Sequence, residues 1–519
     1  MDSALRPVGM PPAPLSVLTA GLGLVGDTGD GVSISGISLD SRALQPGWLY
    51  VALPGTKVHG AQFADAAVAG GAAAILTDDA GLAHLRHVRV PVVAADDARV
   101  AMATVAARLF GEPAAQLTML GVTGTNGKTT TVALLKSGLQ AAGRTAGTIG
   151  TIGFRLGGEE LRSERSTVTT PESPDLQALL AVMLQRGGEA VAVEVSSHAM
   201  ALSRVDGIEF DVVGFLNLGR DHLDFHSDLE DYFEAKAKLF EPGRAAASVV
   251  WVDDPRGRQI AQRVIEHGQS RLITVGSMPG VDYLLEEYEP VAPLGGRATV
   301  TRDGEQLTLE LTLPGEYNMI DAVVALAMLE AVGVPSEAAL AGLKQAQVAG
   351  RMQRVPLGDA APLVVVDFAH TPQAVTAALE SLQGIGPIVA VLGCGGDRDP
   401  DKRPEMGAAA VRLSDLTIVT DDNPRTEDPA AIRAQVMDGA TAALPSDAEV
   451  IEVPGRREAI VEALRRAPMG SVVAILGKGH ERGQVLADRI VDFDDVEEVT
   501  RGWRALTEEG TPHAASHDA

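Results

Sequence analysis

The sequence predicts an α/β protein of three domains with mostly parallel sheets, and three observations support this fold class. The chain has 519 residues, 45% of them hydrophobic, a length that fits three cores at roughly 150 residues per domain. Uninterrupted Val, Ile and Leu runs alternate with amphipathic stretches, as expected for parallel strands covered by helices on both faces. A glycine-rich segment between one such strand and the next helix predicts a nucleotide-binding turn.

The composition and charge of the chain argue against several classes of protein. The formal net charge of -26 argues against a nucleic-acid partner, because phosphate backbones are bound through an excess of Lys and Arg. We find neither a run of about 18 uncharged apolar residues nor an export leader, so we expect no membrane insertion. The single cysteine, Cys394, fits a reducing compartment, and we interpret it as a small buried thiol rather than a nucleophile. We expect a cytoplasmic enzyme, and a monomer.

Residues 1–112 predict a small α/β domain. A helical pattern over residues 63–69 separates two of three short strand-like runs, WLYVAL, AAAILT and VPVVAA.

Residues 113–350 predict a nucleotide-binding domain of the βαβ type. The strand LTMLGV leads into GTNGKTTT and a helix whose Val132, Leu135 and Leu139 share one face, and Gly143 is placed to end that helix. Further strands are expected at VAVEVS and VVGFLNL.

Residues 351–519 alternate most clearly between strands and helices. The expected strands are PLVVVDF, PIVAVLG, LTIVT, EVIEV and SVVAILG. Parallel strands end at one edge of their sheet, and ligands bind there. The loops expected at that edge are DFAHTP, GCGGDRDPDKRP, DDNPRTEDP and GKGHERG.

The segment GTNGKTT, which we call the phosphate loop, has the residues that phosphate binding requires. Its glycines let backbone N–H groups turn toward phosphate, Lys128 can reach the terminal phosphates, and Thr129 can bind Mg²⁺. The spacing departs from the common P-loop pattern because Val122 occupies its first glycine position, and the alternative is an ordinary turn before a helix. The residues expected to hold the nucleotide are Gly124, Thr125, Asn126, Gly127, Lys128, Thr129 and Thr130.

Several side chains are candidates for metal chemistry. Glu194 ends a predicted strand, where an acid can reach a metal beside the phosphates, although a solvated Glu is the alternative. His198 and His222 have weaker claims. Lys236 and Lys238 cannot share a helix face. Either could be solvated, or one could be buried near a metal, where a depressed pKa would let the neutral amine take up CO₂ as a carbamate.

Ten segments in consistent order resemble the Mur ligases, and the match as a whole runs from about residue 38 to about residue 482. They are GTNGKTT, TTPES, EVSSHA, NLGRDHLDFH, YFEAK, AGRMQRV, VDFAHTP, GCGGDRDPDKRPEMG, DDNPRTEDP and GKGHE. The chain is most similar to the members that add the third peptide residue to a peptidoglycan precursor. The resemblance implies an N-terminal domain for the UDP-sugar, a central P-loop-type ATPase domain and a C-terminal Rossmann-like domain that binds the incoming amino acid.

The resemblance also implies ligands for individual residues. Positions matching the uridine-side segment are Ser41, Arg42 and His59, and those matching the muramoyl-peptide site are Thr169, Thr170, Ser196 and Arg204. Two Mg²⁺ ions would be served by Thr129, Glu194, His222 and a carbamylated Lys236. Contacts with ATP, some of which require the C-terminal domain to close, match Asn318, Arg351, Asp367 and His370. Where family members usually have a second asparagine, this chain has Asp321.

The loop DDNPRTEDP is similar to that of members that add meso-2,6-diaminopimelate. The far end of this amino acid carries a second carboxylate, which a guanidinium can bind in bidentate fashion, and members that add lysine usually lack this arginine. Arg425 and Arg398 would bind the carboxylate. The ammonium would be held by Asp422, Asn423 and Glu481, with Gly477 in the same pocket. A surface arginine in an ion pair is the alternative for Arg425.

The reaction implied is ATP-dependent amide ligation. The γ-phosphoryl group would pass to the D-glutamyl carboxylate of UDP-N-acetylmuramoyl-L-alanyl-D-glutamate, and the diaminopimelate amine would then displace phosphate, with Lys128, Lys236 and His222 as catalytic residues. One alternative is a sister ligase that uses lysine, D-alanyl-D-alanine or a folate substrate. Another is a nucleotide-switch protein, although the sequence has no [NT]KxD guanine signature.

Overall fold

The computed structural model describes residues 6–29, 31–55, 58–161, 169–223, 225–292, 294–358 and 361–509. The chain divides into two compact units. The first consists of Met1–Glu286, Thr299–Leu309 and Ile320–Gln345, and the second of Glu287–Ala298, Glu310–Met319 and Ala346–Ala519. None of the helices in the described residues has both the length and the apolar character that crossing a lipid bilayer demands.

The strands of the described residues are β1 (Ala13–Pro14), β2 (Val25–Gly26), β3 (Ser33–Ile34), β4 (Gly36–Ser38), β5 (Trp48–Ala52), β6 (Ala72–Thr77), β7 (Val92–Ala94), β8 (Thr118–Thr123), β9 (Ala146–Gly150), β10 (Gly153–Leu156), β11 (Glu159–Glu160), β12 (Ala190–Glu194), β13 (Phe210–Phe215), β14 (Ala245–Trp251), β15 (Arg271–Gly276), β16 (Tyr283–Pro290), β17 (Gly296–Arg302), β18 (Glu305–Leu311), β19 (Gln353–Val355), β20 (Leu363–Asp367), β21 (Ile388–Cys394), β22 (Leu416–Asp421), β23 (Glu449–Glu452), β24 (Val472–Leu476), β25 (Gly483–Val485) and β26 (Ile490–Asp492).

The α-helices over the same residues are α1 (Leu15–Leu18), α2 (Ala64–Ala69), α3 (Asp79–His84), α4 (Ala98–Leu109), α5 (Lys128–Ala141), α6 (Ser173–Gln185), α7 (Ser197–Ala201), α8 (Leu229–Ala237), α9 (Pro255–His267), α10 (Glu316–Ala331), α11 (Ser336–Gln345), α12 (Pro372–Glu380), α13 (Lys402–Arg412), α14 (Pro429–Ala443), α15 (Arg456–Arg466) and α16 (Asp495–Glu509). Short 3₁₀ turns cover Gly60–Phe63, Pro113–Gln116 and Lys238–Phe240.

The N-terminal part of the first unit contains a five-stranded sheet in the order β2-β7-β6-β5-β4. Strands β4 to β7 are parallel, and β2 pairs with β7 in antiparallel fashion. The three runs predicted as strands form β5, β6 and β7, and the predicted helix is α2. The prediction of a small α/β arrangement here is therefore confirmed.

The larger sheet has the order β11-β10-β9-β12-β8-β13-β14-β15-β16-β17-β18. Pairing is parallel from β9 through β16, so the strands around β8 are buried on both faces. Helix α5 follows β8 and buries Val132, Leu135 and Leu139, which are at most 3% exposed. The helix ends at Ala141, and Gly143 follows with a left-handed φ of +80°. Both predictions about this helix are confirmed.

The second unit contains a six-stranded sheet in the order β19-β20-β24-β21-β22-β23. All pairs are parallel except β19 with β20, and hydrophobic clusters cover both faces. Asp367, Cys394, Asp421 and Leu476 end four adjacent strands at one edge, which we call the carboxyl edge. The predicted parallel sheet and its strands are therefore confirmed.

Candidate nucleotide and substrate site

The phosphate loop connects β8 to α5. Gly127 has a φ of +88°, and a Cβ added there would overlap the Asp321 carboxylate, so glycine is required by both the backbone and the space. The Lys128 Nζ atom donates to the carbonyl oxygens of Gly124 and Thr125, each at 2.8 Å. The ammonium group therefore lies over the loop at the N-terminal end of a helix, a position that favours anions.

The loop that follows β13 supports the phosphate loop. The Asn126 N–H donates to Asn217 Oδ1 at 2.9 Å, and Asn217 Nδ2 donates to the Asn126 carbonyl oxygen at 3.2 Å. The Thr125 hydroxyl accepts from the Gly219 N–H at 2.8 Å and lies 3.2 Å from the Tyr232 hydroxyl. These bonds join the phosphate loop to the residues after β13 and to Tyr232 of α8.

Glu194 ends β12 beside β8 and is only 1% exposed. Its carboxylate accepts from the Thr129 hydroxyl at 3.1 Å, the Thr151 N–H at 2.9 Å and the Thr151 hydroxyl at 3.0 Å. A Cβ at Gly150 would overlap the same carboxylate. Two residues predicted to bind the metal, Thr129 and Glu194, are thus brought into direct contact.

The donor set fits Mg²⁺. Hydroxyl and carboxylate oxygens are the ligands that Mg²⁺ prefers, usually one or two carboxylates completed by water and substrate phosphates. A cluster of three or more His, Cys, Asp or Glu residues suited to a metal is absent from the described ranges. Thr129 and Glu194 would leave the other positions around an Mg²⁺ ion to water and substrate phosphates.

The two lysines of YFEAKAKLF differ in burial. Lys236 is 1% exposed, its Nζ donates to the Gly124 carbonyl oxygen at 2.8 Å, and it lies 4.6 Å from the Tyr232 ring centre. Lys238, in the following 3₁₀ turn, is exposed. Burial, and then the charge of nearby Lys128, lowers the pKa of Lys236 well below its ordinary value. The interpretation of Lys236 as the buried lysine and Lys238 as the solvated one is confirmed.

His222 lies beside this group. Its φ is +54°, its side chain is 40% exposed, and its ring centre is 4.8 Å from that of His198 and 6.0 Å from that of Tyr232. His222 and Lys236 therefore both lie beside the Tyr232 ring.

The residues matched to the muramoyl-peptide are connected to Glu194 by hydrogen bonds. The Thr169 and Thr151 hydroxyls are 3.1 Å apart, and the Thr170 hydroxyl donates to the Glu194 carbonyl oxygen at 2.7 Å. Ser196 lies 3.3 Å from the Thr170 hydroxyl and caps α7. Arg204 donates to the Thr170 carbonyl oxygen at 3.0 Å. Sequence reasoning missed Thr151, although the glycine before it at a strand end was an available signal.

The residues matched to the uridine side lie in the N-terminal part of the first unit. Arg42, with an 88% exposed side chain, donates to the Asp40 carboxylate at 3.0 and 3.1 Å, and Ser41 beside it is partly buried. His59 accepts the Ala61 N–H at Nδ1, so its Nε2 carries the proton that faces Asp78 Oδ1 at 3.0 Å. A neighbouring carboxylate therefore holds each of these two side chains, Asp40 for Arg42 and Asp78 for His59.

The residues matched to ATP in the second unit have defined partners. Asn318, 3% exposed, donates from Nδ2 to the Pro314 carbonyl oxygen at 2.6 Å. The Arg351 guanidinium lies 4.9 Å from the Phe368 ring centre, and Asp367 Oδ2 accepts the Met352 N–H at 2.7 Å. Burial raises the pKa of Asp367. Exposed His370 bonds through Nδ1 to the Phe368 carbonyl oxygen at 2.8 Å.

Arg425 and Arg398 lie in loops at the carboxyl edge. Arg425 has a left-handed φ of +52°, and its Nη1 donates to the Gly396 carbonyl oxygen at 2.7 Å. Arg398 is exposed and donates to the Asp397 carbonyl oxygen at 3.3 Å. Within the described part of the chain, the guanidinium of Arg425 bonds to main-chain carbonyls and to no carboxylate. The assignment of Arg425 to a substrate carboxylate stays a prediction.

The residues expected to hold an ammonium surround a lysine that sequence reasoning missed. Asp422 and Asn423 are buried, and Asn423 Nδ2 donates to Glu481 Oε2 at 2.7 Å. The Lys478 side chain is fully buried and donates to both Asn423 Oδ1 and Glu481 Oε2. Gly477 has a φ of +113°, and a Cβ there would lie 2.9 Å from Asp422 Oδ2. The segment GKGHE contained the signal, since this lysine follows a glycine at a strand end.

Cys394 is the last residue of β21 and is 3% exposed. Burial raises the pKa of its thiol to about 12. A thiol that stays protonated at neutral pH is a poor nucleophile. The interpretation of Cys394 as a small buried thiol is confirmed.

Comparison with known proteins shows the family of the chain. Three family models match the chain: "Mur ligase family, catalytic domain" over residues 33–109, "Mur ligase middle domain" over 122–329 and "Mur ligase, glutamate ligase domain" over 350–479. A UDP-N-acetylmuramoyl-L-alanyl-D-glutamate--2,6-diaminopimelate ligase of Streptomyces coelicolor is 44% identical, covering 94% of this chain and 96% of its own. The enzyme of the same name from Corynebacterium glutamicum is 43% identical, with 92% of each chain covered.

Two solved structures have a similar fold. A structure titled as a UDP-N-acetylmuramoyl-L-alanyl-D-glutamate--2,6-diaminopimelate ligase is similar with a TM-score of 0.69 and 30% identity, covering 92% of this chain and 96% of that one. The MurF ligase of Thermotoga maritima in complex with ADP shares the fold, with a TM-score of 0.57 and 19% identity over 92% of this chain and 98% of its own. The chain has the three-domain α/β fold of these enzymes and belongs to the Mur ligase family.

Proposed function

We propose that this protein is an ATP-dependent amide ligase that adds meso-2,6-diaminopimelate to UDP-N-acetylmuramoyl-L-alanyl-D-glutamate in the synthesis of peptidoglycan precursors. The observation that carries the proposal is the phosphate loop, on which Lys128 and Lys236 converge and where Thr129 contacts Glu194. The relatives named as diaminopimelate ligases support the substrate assignment.

The proposed reaction has two steps. A D-glutamyl carboxylate oxygen attacks the γ-phosphorus of ATP, which breaks the bond to the ADP oxygen and forms an acyl-phosphate. The diaminopimelate amine then attacks the acyl carbon, the carbon–oxygen bond breaks, and phosphate leaves with that oxygen as the amine loses a proton. Phosphoryl transfer mainly requires positioning and charge neutralisation, so no protein nucleophile is needed.

Charge neutralisation is assigned to the phosphate loop. Lys128 would bind the transferring phosphoryl group together with the loop N–H groups. Thr129, Glu194 and His222 would hold two Mg²⁺ ions, which when bound neutralise phosphate charge. The remaining loop residues, Gly124, Thr125, Asn126, Gly127 and Thr130, would bind phosphate oxygens through the backbone and hydroxyls.

Lys236 is proposed to carry a carbamate. CO₂ adds to a neutral amine by forming a nitrogen–carbon bond and releasing a proton, which converts the side chain into an anionic oxygen ligand. Complete burial and the contact of Nζ with the Gly124 carbonyl oxygen support this role. The carbamate would then lie beside the same phosphates that Lys128 binds.

The other assigned residues would bind the two remaining substrates and the rest of ATP. The UDP group is assigned to Ser41, Arg42 and His59, and the muramoyl-peptide to Thr169, Thr170, Ser196 and Arg204. ATP contacts in the second unit are assigned to Asn318, Arg351, Asp367 and His370. Diaminopimelate is assigned to Arg398, Asp422, Asn423, Arg425, Gly477 and Glu481.

We propose three domains, 1–112, 113–350 and 351–519, for the UDP-sugar, for ATP and for the amino acid respectively. The separate sheets at the two ends of the chain and the limits of the three family matches support these boundaries. We also propose that the protein acts as a monomer. Dependence on ATP and a nucleotide-linked precursor supports a cytoplasmic location.

The test supplies purified protein with ATP, Mg²⁺, the UDP-muramoyl dipeptide and one amine at a time: meso-diaminopimelate, lysine or D-alanyl-D-alanine. Mass spectrometry of the product and phosphate release are measured together. We expect a tripeptide product with diaminopimelate and phosphate release that depends on this amine. Preference for lysine would overturn the assignment to Arg425, and full phosphate release without an amine would indicate a nucleotide-hydrolysing switch.

A further inference from the structure

Lys478, in the loop after β24, is a fully buried ammonium group at the carboxyl edge. Its Nζ donates to Asn423 Oδ1 at 3.0 Å, Glu481 Oε2 at 3.1 Å and the Gly483 carbonyl oxygen at 2.6 Å. It also lies 3.7 Å from Asp422 Oδ1. A buried charge is tolerated only when it is paired and hydrogen-bonded, and the three N–H groups of this lysine all have partners.

These bonds determine how the Asn423 amide is turned. Lys478 Nζ and the Val485 N–H can only donate, so the atom that faces them at 3.0 and 2.9 Å is the amide oxygen. The Glu481 carboxylate can only accept, so the atom facing it at 2.7 Å is the amide nitrogen. Both lone pairs of Oδ1 are used, and one N–H of Nδ2 remains.

The remaining N–H limits what Asn423 can recognise. A substrate ammonium group has only donors, so it cannot hydrogen-bond to an N–H, whereas a substrate carboxylate can. The pocket also contains carboxylate oxygens that can accept hydrogen bonds from an ammonium group. In the ranges that the structure describes, the Asp422 carboxylate oxygens and Glu481 Oε1 accept no hydrogen bond. Asn423 therefore offers a hydrogen-bond donor to a carboxylate, whereas Asp422 and Glu481 offer acceptors to an ammonium group.

We propose that Lys478 is a positioning residue that turns the Asn423 amide so that it donates to the far carboxylate of the amino-acid substrate, while Asp422 and Glu481 hold the ammonium. The inference rests on the proposed function, and it changes the ligand of Asn423 from the ammonium to the carboxylate. Lys478 acts through Asn423 and Glu481 and makes no substrate contact itself.

Substrate analogues separate the two roles of Asn423. Lysine lacks the far carboxylate of diaminopimelate, and 2-aminopimelate lacks the far ammonium. We expect Asn423→Ala to lower kcat/KM by roughly 10- to 100-fold for diaminopimelate and 2-aminopimelate and by less than about 3-fold for lysine, because a hydrogen bond to a charged group is lost only where the carboxylate is present. A loss for diaminopimelate and lysine with none for 2-aminopimelate would overturn the inference.

Substitution of the lysine tests the positioning step. We expect Lys478→Met to raise KM for diaminopimelate roughly 10-fold or more, leave KM for ATP and for the UDP-precursor within about 2-fold, and abolish the further effect of Asn423→Ala. Equal changes in all three KM values would contradict positioning. If Lys478→Met fails to fold, the Asn423→Ala series decides alone. No diaminopimelate product from the unsubstituted enzyme would overturn the proposed function, whereas product with the opposite analogue pattern would overturn this inference only.

Discussion

Thr151→Val tests whether the phosphate loop is supported as the structure indicates. Valine keeps the shape of threonine and the main-chain N–H but removes the hydroxyl, which lies 3.0 Å from Glu194 Oε2 and 3.1 Å from the Thr169 hydroxyl. Glu194 would retain the Thr129 hydroxyl and the Thr151 N–H. One of three donors to a buried carboxylate is lost.

The size of the effect follows from burial. A hydrogen bond to a charged group contributes about 1.5–3 kcal/mol, and water can hardly replace it at a carboxylate that is 1% exposed. We therefore expect kcat/KM to fall roughly 10- to 100-fold and the Mg²⁺ concentration for half-maximal activity to rise about 10-fold. Coupled phosphate release at varied Mg²⁺ measures both.

The chain offers matched controls. Thr151→Ser keeps the hydroxyl and should stay within about 3-fold of the unsubstituted enzyme. Thr148 on β9 is equally suitable, because its buried hydroxyl has no hydrogen-bond partner among the described residues, and Thr148→Val should leave the Mg²⁺ dependence unchanged. Unaltered Mg²⁺ dependence in Thr151→Val, or equal losses in both valine variants, would show that the Thr151 hydroxyl does not support Glu194.

Three further predictions concern the second unit. Gly477→Ala places a side chain on a backbone with a φ of +113° and within 2.9 Å of Asp422 Oδ2. The KM for diaminopimelate should therefore rise at least about 10-fold, with little change in the KM for ATP. An unchanged KM for diaminopimelate would contradict the assigned pocket. Because the pKa of Cys394 is raised to about 12, its thiol should resist iodoacetamide at about pH 8 until the chain is unfolded, and mass spectrometry would reveal any labelling of the folded enzyme. Arg456 donates to both Asp495 carboxylate oxygens at 2.7 Å, and both side chains are fully buried. Arg456→Met should therefore lower the free energy of unfolding, measured with denaturant, by about 3–5 kcal/mol. The additional change Asp495→Leu should restore much of that free energy.

The sequence predicted best the features that are fixed locally. The phosphate loop is a run of consecutive residues whose shape follows from a strand, a left-handed glycine and a helix start, so its conformation could be read from the order of residues. The strands of the second unit were equally predictable because continuous Val, Ile and Leu runs have few alternatives to a buried parallel sheet.

Features that depend on partners distant in sequence could not be predicted in this way. Periodicity could not choose between Lys236 and Lys238, because burial depends on a carbonyl at Gly124, 112 residues away. Lys478 was missed for the same reason, since its partner Asn423 lies 55 residues earlier. A charged side chain is assigned to the surface from sequence unless its partners are known.

In the proposed reaction the enzyme activates a carboxylate by transferring the γ-phosphoryl group of ATP to it. The most direct measurement uses UDP-N-acetylmuramoyl-L-alanyl-D-glutamate labelled with oxygen-18 in the reacting carboxylate, with ATP and meso-diaminopimelate. We expect one labelled oxygen in each phosphate released, because the carbon–oxygen bond breaks when the amine attacks. Unlabelled phosphate accompanying amide formation would contradict it.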